Sequence, residues 1–247
     1  MTTVYLDIET LPTNFTSVIE DFAKTIKAPG QYKKPESIEE WMKENKETAL
    51  KELVAKTSFD GLYGQIACIA WTFDDGEIMS THKDDSEADC IDRFYRDVSA
   101  HQSTIYHGGS VQKDLTICGH NIAGFDLPFL KHRSIILNVC PPPQIRKAMN
   151  AKTWDSCIAD TMLMWSPDRE KRASMDKLCK AFGIKGKEGF DGSMVAATWP
   201  VDPQKVIDYC KDDVERVRAI HRRMTFAEAA EAMTGDDYPN ASEATAR

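Results

Sequence analysis

Leu115-Thr116-Ile117-Cys118-Gly119-His120-Asn121-Ile122-Ala123-Gly124-Phe125-Asp126-Leu127-Pro128-Phe129-Leu130 is the stretch on which the fold turns. Its first four residues form an apolar run too short for a helix, so they read as a buried strand. Gly119-His120-Asn121 is a turn, and the apolar spacing beyond it predicts a helix over 124–137, ended by the prolines at 141–143. A strand delivered through a tight turn into a helix is the building step of an α/β sheet. Upstream, residues 4–9 alternate apolar and acidic positions, as a strand stopped by Leu11-Pro12 would. Residues 65–73 read as a second, buried strand that turns at Asp74-Asp75-Gly76 into a hairpin partner over 77–81. A helix over 86–100 puts Cys90, Ile91, Phe94, Tyr95 and Val98 on one face. Downstream, a strand or turn near Trp154 leads into 158–165. A helix capped by Ser174 then runs to Phe182 and stops at Gly183, and a long helix begins at Pro203 and reaches about Met224. A hairpin beside parallel strands joined by helices gives one mixed α/β sheet with helices packed on it.

The chain has 247 residues, which suits one large domain or one domain carrying an insertion. With 42% hydrophobic and 28% charged residues it is neither disordered, collagen-like nor a coiled coil. Residues 13–60 break the strand rhythm and read as the insertion, with a helix starting at Ser37 as its N-cap. Eight Lys and eight Asp/Glu between Asp21 and Asp60 make that helix salt-laced and partly exposed. A formal net charge of −8 excludes a basic nucleic-acid coat protein. Residues 131–187 nevertheless carry twelve Lys/Arg against five Asp/Glu, a basic zone able to guide an anionic polymer. Trp154 and Trp165 within it are candidates for base stacking, although burial is the commoner fate of tryptophan. No stretch is long and apolar enough for a membrane helix, and the N-terminus has no basic-then-apolar leader. The 7 cysteines are an odd number without CxxC spacing, and several read as small buried hydrophobes, so the protein reads as reduced and cytoplasmic.

Three acidic elements carry the candidate chemistry. Asp7 and Glu9 share one face of the first strand, while Leu6 and Ile8 point the other way. About six such acidic i,i+2 pairs are expected by chance from this composition, so the pair alone decides nothing. Asn121-x-x-x-Phe125-Asp126 is different, because composition predicts only about 0.02 occurrences of it. Asn121 there either stabilises its own turn or touches a ligand, and Phe125 either packs in the core or lines a site. Asp126 beside Leu127, Phe129 and Leu130 is a carboxylate that needs a partner if buried. On the last helix, Tyr209 and Asp213 stack at i,i+4 on the apolar stripe of Val206, Val217 and Ile220, with Asp212 about 100° round. Asp155 and Asp160 read as turn or cap groups, and Lys185-Gly186-Lys187-Glu188-Gly189 reads as a flexible surface turn, since it lacks a phosphate-loop ending.

Taken in order, Asp7-x-Glu9, Asn121-x-x-x-Phe125-Asp126 and Tyr209-x-x-x-Asp213 resemble the DEDD superfamily of 3′–5′ exonucleases. The tyrosine-bearing branch fits, because the histidine branch would need His where Asp208 stands. Residues 119–130 look most like the proofreading domain of family B DNA polymerases. The resemblance implies a ribonuclease H-like fold, with a mixed five-stranded sheet and flanking helices. Residues 1–225 would be the exonuclease domain, with 13–60 inserted, and residues 226–247 an acidic, Ala-rich, partly disordered tail.

It also implies two Mg²⁺ or Mn²⁺ ions, with Asp7, Glu9 and Asp213 holding the first, Asp7 bridging to the second, and Asp126 acting on the second. Tyr209 would orient the attacking water, its ordinary pKa near 10 making it a poor base at neutral pH. Thr10 and Leu11 would line the terminal-nucleotide pocket, Leu11 as a wedge, with Asn121 and Phe125 also at the substrate. The implied reaction releases nucleoside 5′-monophosphates from the 3′ ends of single-stranded or frayed DNA. The alternatives are an exoribonuclease of the same fold, or a non-catalytic nucleic-acid-binding or proofreading-accessory module. Only about twenty residues follow the last helix, so a replication or repair polymerase would be a partner in trans.

Overall fold

A computed structural model describes residues 2–106, 109–112, 115–187 and 189–227. The elements follow as β1 (Thr2–Leu11), α1 (Thr16–Thr25), α2 (Pro35–Lys56), β2 (Gln65–Phe73), β3 (Met79–Ser80), α3 (Glu87–Gln102), β4 (Ser103–Tyr106), β5 (Gly109–Gln112) and β6 (Leu115–Gly119). After these come α4 (Asp126–Ile136), α5 (Pro143–Met149), β7 (Ile158–Asp160), α6 (Thr161–Trp165), α7 (Met175–Phe182), α8 (Val195–Thr198) and α9 (Pro203–Met224). Among the described residues one sheet has five strands in the order β3-β2-β1-β6-β7. β1 runs antiparallel to β2 and parallel to β6, which is parallel to β7, so the mixed α/β sheet expected from the sequence is present.

β1 is the centre of this sheet, and both of its faces are covered. Val4, Leu6 and Ile8 pack with Cys90, Ile91, Phe94 and Val98 of α3 and with Leu127 and Leu130 of α4. Tyr5 faces the other way, into Val206, Cys210, Val214 and Val217 of α9 and Leu178 of α7. Burying a Leu, Ile or Phe side chain is worth about 1.5–3 kcal/mol, so a strand clamped on both faces is a rigid mount. Two details shape its C-terminal end. Pairing with β6 stops at Tyr5–Cys118, so the chains part beyond that point. Glu9 pairs with Cys68 but Thr10 with Ile66, which leaves Ala67 as a bulge that bends the ladder beside the acidic pair.

Several local expectations need correction. α2 starts two residues before Ser37, because Pro35 takes the first turn, and the Ser37 hydroxyl donates back to Lys34 O at 2.8 Å. Ser174 sits at the N-cap of α7 without a side-chain cap bond. α4 ends at Ile136, followed by a left-handed Asn138, before the prolines at 141–143 are reached, and those prolines start another helix, α5, with Pro143 in its first turn. Gly109 and Ser110 belong to a strand, β5, that pairs with β4, and residues 107–108 lie outside the described residues. The tail expected over 226–247 likewise falls outside them from residue 228 onward. The insertion proves to be two helices, α1 and α2, neither with a fully buried residue. Cys140 is exposed, and the other six cysteines are buried and free. Among the described residues no helix is long and apolar enough to cross a membrane.

Candidate active site

Period-two geometry puts Asp7 and Glu9 on the α9 side of β1, after Tyr5. The stripe of α9 that packs on this face holds Val206, Tyr209, Cys210, Val214, Val217 and Ile220, and Asp213 lies buried within it, one turn from Tyr209. Asp212 is turned to solvent. One carboxylate oxygen from each of Asp7, Glu9 and Asp213 lies within 4.8 Å of the others. The Cys210 thiol donates to both the Asp7 carbonyl and its Oδ2 at 3.4 Å, which fixes that carboxylate against the helix.

Asp126 arrives from the opposite layer. It opens α4 just beyond the point where β6 has left β1, and its Oδ1 accepts the Ile8 amide at 3.3 Å. Asp126 thus fills the gap left in the ladder, within electrostatic reach of Asp7 and Glu9. The turn that delivers it is held by Asp160, whose carboxylate accepts the amides of Asn121, Ala123, Met162 and Leu163. Asp160 is the N-cap of α6, the structural role read from the sequence. Asp155 is likewise a turn group, accepting the Lys152 amide at 2.8 Å. Asn121 has a left-handed backbone, φ 63°, and its carbonyl accepts the amides of Gly124 and Phe125. A Cβ at position 124 would sit 2.5 Å from Asn121 Oδ1, so any other residue there would push the Asn121 amide from its place. The turn-stabilising reading of Asn121 therefore has direct contacts behind it. Phe125 packs against the α3–α4 core and Phe129.

Leu11, on the same strand face as the acidic pair, packs on the α9-side core. The Thr10 hydroxyl donates to Ser58 O at 2.7 Å, tying the end of β1 to the insertion.

Lys187 is the residue that sequence reading missed. Far from being a surface turn, its segment places Nζ on Asp213 Oδ2 at 2.8 Å, on the Tyr209 hydroxyl, and 4.6 Å from the centre of the Tyr209 ring. Arg216 completes the clamp, donating to Asp213 Oδ1 at 2.6 Å and to the carbonyls of Lys185 and Gly186 at 3.3 Å. Arg216, one turn after Asp213, is buried by the structure and needs partners that the apolar stripe cannot provide, but its sequence position alone does not point to Lys187. Beside Lys187 and Tyr209 lies a cavity of about 210 Å³ lined also by Lys185, Lys205 and Arg216. The tryptophans are not buried as expected. Trp154 is 76% exposed and lines a separate cavity of about 770 Å³ with Thr3 and His221, toward the other end of the sheet.

The crowded carboxylates hold their protons strongly. Burial, then Asp213, Glu9 and Asp126, push Asp7 well above the carboxylate range, against the Cys210 hydrogen bond. Burial and Asp213 push Glu9 up to about 8, with Lys187 opposing. Burial raises Asp126 to about 7 against the amides it accepts, with Asp160 and Asp213 adding to the rise. Tyr209 is raised above its ordinary value by burial and by Asp213, Glu9 and Asp7, so the phenol keeps its proton. An all-oxygen donor set that repels itself and already draws in one ammonium suits a hard divalent cation.

A central strand presenting carboxylates to a helix that returns another, with a fourth at a neighbouring strand end, makes a crowded acidic centre on a mixed α/β sheet. Compared with known families, residues 65–246 match the model of predicted 3′–5′ exonucleases related to the exonuclease domain of PolB, and the chain belongs to that family. The match leaves out residues 13–60 and the first strand. The family B DNA polymerase of the hyperthermophilic archaeon Pyrobaculum calidifontis is similar in fold, with a TM-score of 0.53 at 16% identity over 90% of this chain. The chain spans 24% of that polymerase. No curated protein matches it.

Proposed function

We propose that residues 1–225, with the insertion at 13–60, form a metal-dependent exonuclease that removes nucleoside 5′-monophosphates from the 3′ end of single-stranded DNA in the cytoplasm. The observation that carries this reading is the convergence of Asp7, Glu9 and Asp213 within 4.8 Å, inside a family of predicted 3′–5′ exonucleases. Asp7, Glu9 and Asp213 would hold one Mg²⁺ or Mn²⁺, and Asp7 with Asp126 a second. When bound, such ions supply charge neutralisation at the phosphate and an acidic environment for water.

The chain's own groups do the rest. Tyr209, a protonated phenol beside Asp213, directs a hydrogen bond at the attacking water and does not remove its proton. The Lys187 ammonium stands next to both, where it can offset negative charge growing on the phosphate oxygens. Arg216 holds Asp213 and the Lys187 segment in a fixed relation, so both reach the phosphate already oriented. Thr10 and Leu11 would bound the terminal nucleotide, with the Leu11 side chain on the acidic face of β1, while Asn121 and Phe125 shape the turn and core behind Asp126. A replication or repair polymerase is the proposed source of the frayed ends.

The test uses single-stranded DNA and RNA of one sequence, labelled at the 5′ end, with Mg²⁺, Mn²⁺ or EDTA and an Asp7→Ala/Glu9→Ala double mutant as control. Stepwise shortening from the 3′ end, dependent on metal and lost in the mutant, is the expected result. Degradation of RNA alone would move the substrate to RNA, and a folded protein silent in every lane would reject the enzyme reading.

A further inference from the structure

We infer that the loop at 57–64, at the foot of the helical insertion, is a stacking platform for an unpaired base upstream of the 3′ terminus, with Phe59 as the positioning residue. The inference deepens the exonuclease reading and rests on it for the identity of the substrate.

The loop is bonded to the end of the strand that carries the acidic pair, on the face turned toward α4. Thr57–Phe59 is a single 3₁₀ turn that returns the chain from α2 to the end of β1. There Ser58 O accepts the Thr10 hydroxyl at 2.7 Å and Thr57 Oγ1 accepts the Thr13 amide at 2.7 Å. Phe59 is therefore one residue from a bond to Thr10, which is itself one residue from Glu9.

The loop is also fixed in place. Asp60 Oδ1 accepts the Leu62 amide at 2.9 Å, and Asp60 O accepts the Gly64 amide at 2.8 Å. A Cβ at position 61 would lie 2.9 Å from His132 Cβ, and one at position 64 would lie 2.3 Å from Thr57 O, so both glycines let the loop press onto its neighbours. Arg133, only 1% exposed, donates to Gly61 O at 3.3 Å while Glu87 holds its other nitrogens at 2.8 Å.

On this anchored loop Phe59 is 74% and Leu62 54% exposed. A mobile tip could tuck such side chains away, but this one is held out, already ordered, on a loop bonded to the end of β1. The occupant that fits is a nucleobase. Any base offers a π-face to the ring whatever the sequence, and an ordered ring gives up little freedom on contact. Continuity with the proposed site supports this occupant, since the end of β1 that carries Asp7 and Glu9 is the end to which the loop is bonded. Thr10 and Leu11 lie between the acids and Phe59, so the stacked base is not the terminal one. A paired base has neighbours of its own on both faces, so the contact selects single-stranded ends.

The experiment compares wild type, Phe59→Ala and Phe59→Trp on oligo-dT and on the p-nitrophenyl ester of thymidine 5′-monophosphate, which has one base and no upstream nucleotide. Oligo-dT affinity is measured in parallel by fluorescence anisotropy in EDTA. Phe59→Ala is expected to raise KM for oligo-dT about tenfold and to weaken binding in EDTA by a similar factor, with kcat within twofold. Phe59→Trp should restore both, and the ester should be hydrolysed equally by all three proteins. Unchanged oligo-dT KM and affinity in Phe59→Ala, with turnover intact, overturns the platform and leaves the exonuclease standing. If wild type hydrolyses neither substrate, the exonuclease reading has failed, and unchanged anisotropy in Phe59→Ala then overturns the platform separately. A change of oligomeric state in Phe59→Ala by light scattering, with affinity unchanged, would assign the ring to self-association and overturn it as well.

Discussion

Replacing Asp7 by Asn should make the metal-free protein more stable while removing its response to metal. The substitution keeps the side-chain shape, and an amide oxygen can still accept from the Cys210 thiol, so what it removes is the cost, at pH 8, of an ionisable carboxyl in a site that disfavours its charge. Carboxylate oxygens of Asp7, Glu9 and Asp213 lie within 4.8 Å of one another, and two unit charges at that distance repel by about 3.5 kcal/mol at an effective dielectric near 20. Retained protons and the Lys187 ammonium relieve part of this, leaving a net gain of about 2 kcal/mol at pH 8. In a chain of this size that corresponds to a rise in Tm of about 4–8 °C. Scanning calorimetry in EDTA at pH 8 measures it, and a second scan with millimolar Mn²⁺ completes the comparison. Wild type should gain stability from Mn²⁺ and Asp7→Asn should gain much less. A mutant that melts at or below wild type in EDTA, and responds equally to Mn²⁺, would refute the electrostatic reasoning.

Lys187→Ala should lower kcat about 100-fold with KM changed by no more than a few-fold, as steady-state kinetics on a 5′-labelled oligonucleotide would show. Asp160→Ala leaves four backbone amides without their acceptor and should cost about 4 kcal/mol in urea unfolding, with the loss appearing in the midpoint. The pH dependence has a defined sign. Glu9 and Asp126 bind protons more tightly in the folded chain, at about 8 and about 7, than at their ordinary values of 4.5 and 3.8. Their contribution to metal-free stability is thus complete below the ordinary values and is lost as pH rises through about 7 and 8. Melting in EDTA from pH 5 to 9 should therefore fall relative to melting in Mn²⁺, and a constant gap would contradict the shifts.

Where the chemistry lies on regular elements, it was legible in the sequence. Asp7 and Glu9 alternate with Leu6 and Ile8, and a strand covered on both faces leaves no other arrangement. Tyr209 and Asp213 interrupt an apolar stripe at helical spacing, and the structure buries both while leaving Asp212 in solvent. Asp126 was conspicuous because an acid that opens an apolar helix needs a partner, which turns out to be the Ile8 amide. Lys187 was not legible. It lies between Gly186 and Gly189, where no periodicity assigns a face, and only the clamp from Arg216 brings it in. The insertion was visible as a break in rhythm, but its return to β1 through Ser58 depends on tertiary contacts that no local pattern encodes. The hydroxyls of Ser37 and Ser174 misled for a related reason, since a proline can begin a helix and a cap position can go unused.

The most direct test of the account is to identify the products of a single-stranded oligonucleotide digested in Mn²⁺ by wild type and by Asp213→Asn, by chromatography against nucleotide standards. The account predicts nucleoside 5′-monophosphates released one at a time from the 3′ end by wild type, with the rate reduced by orders of magnitude in Asp213→Asn. Nucleoside 3′-monophosphates, early release of the 5′ nucleotide, or an Asp213→Asn rate equal to wild type would contradict it.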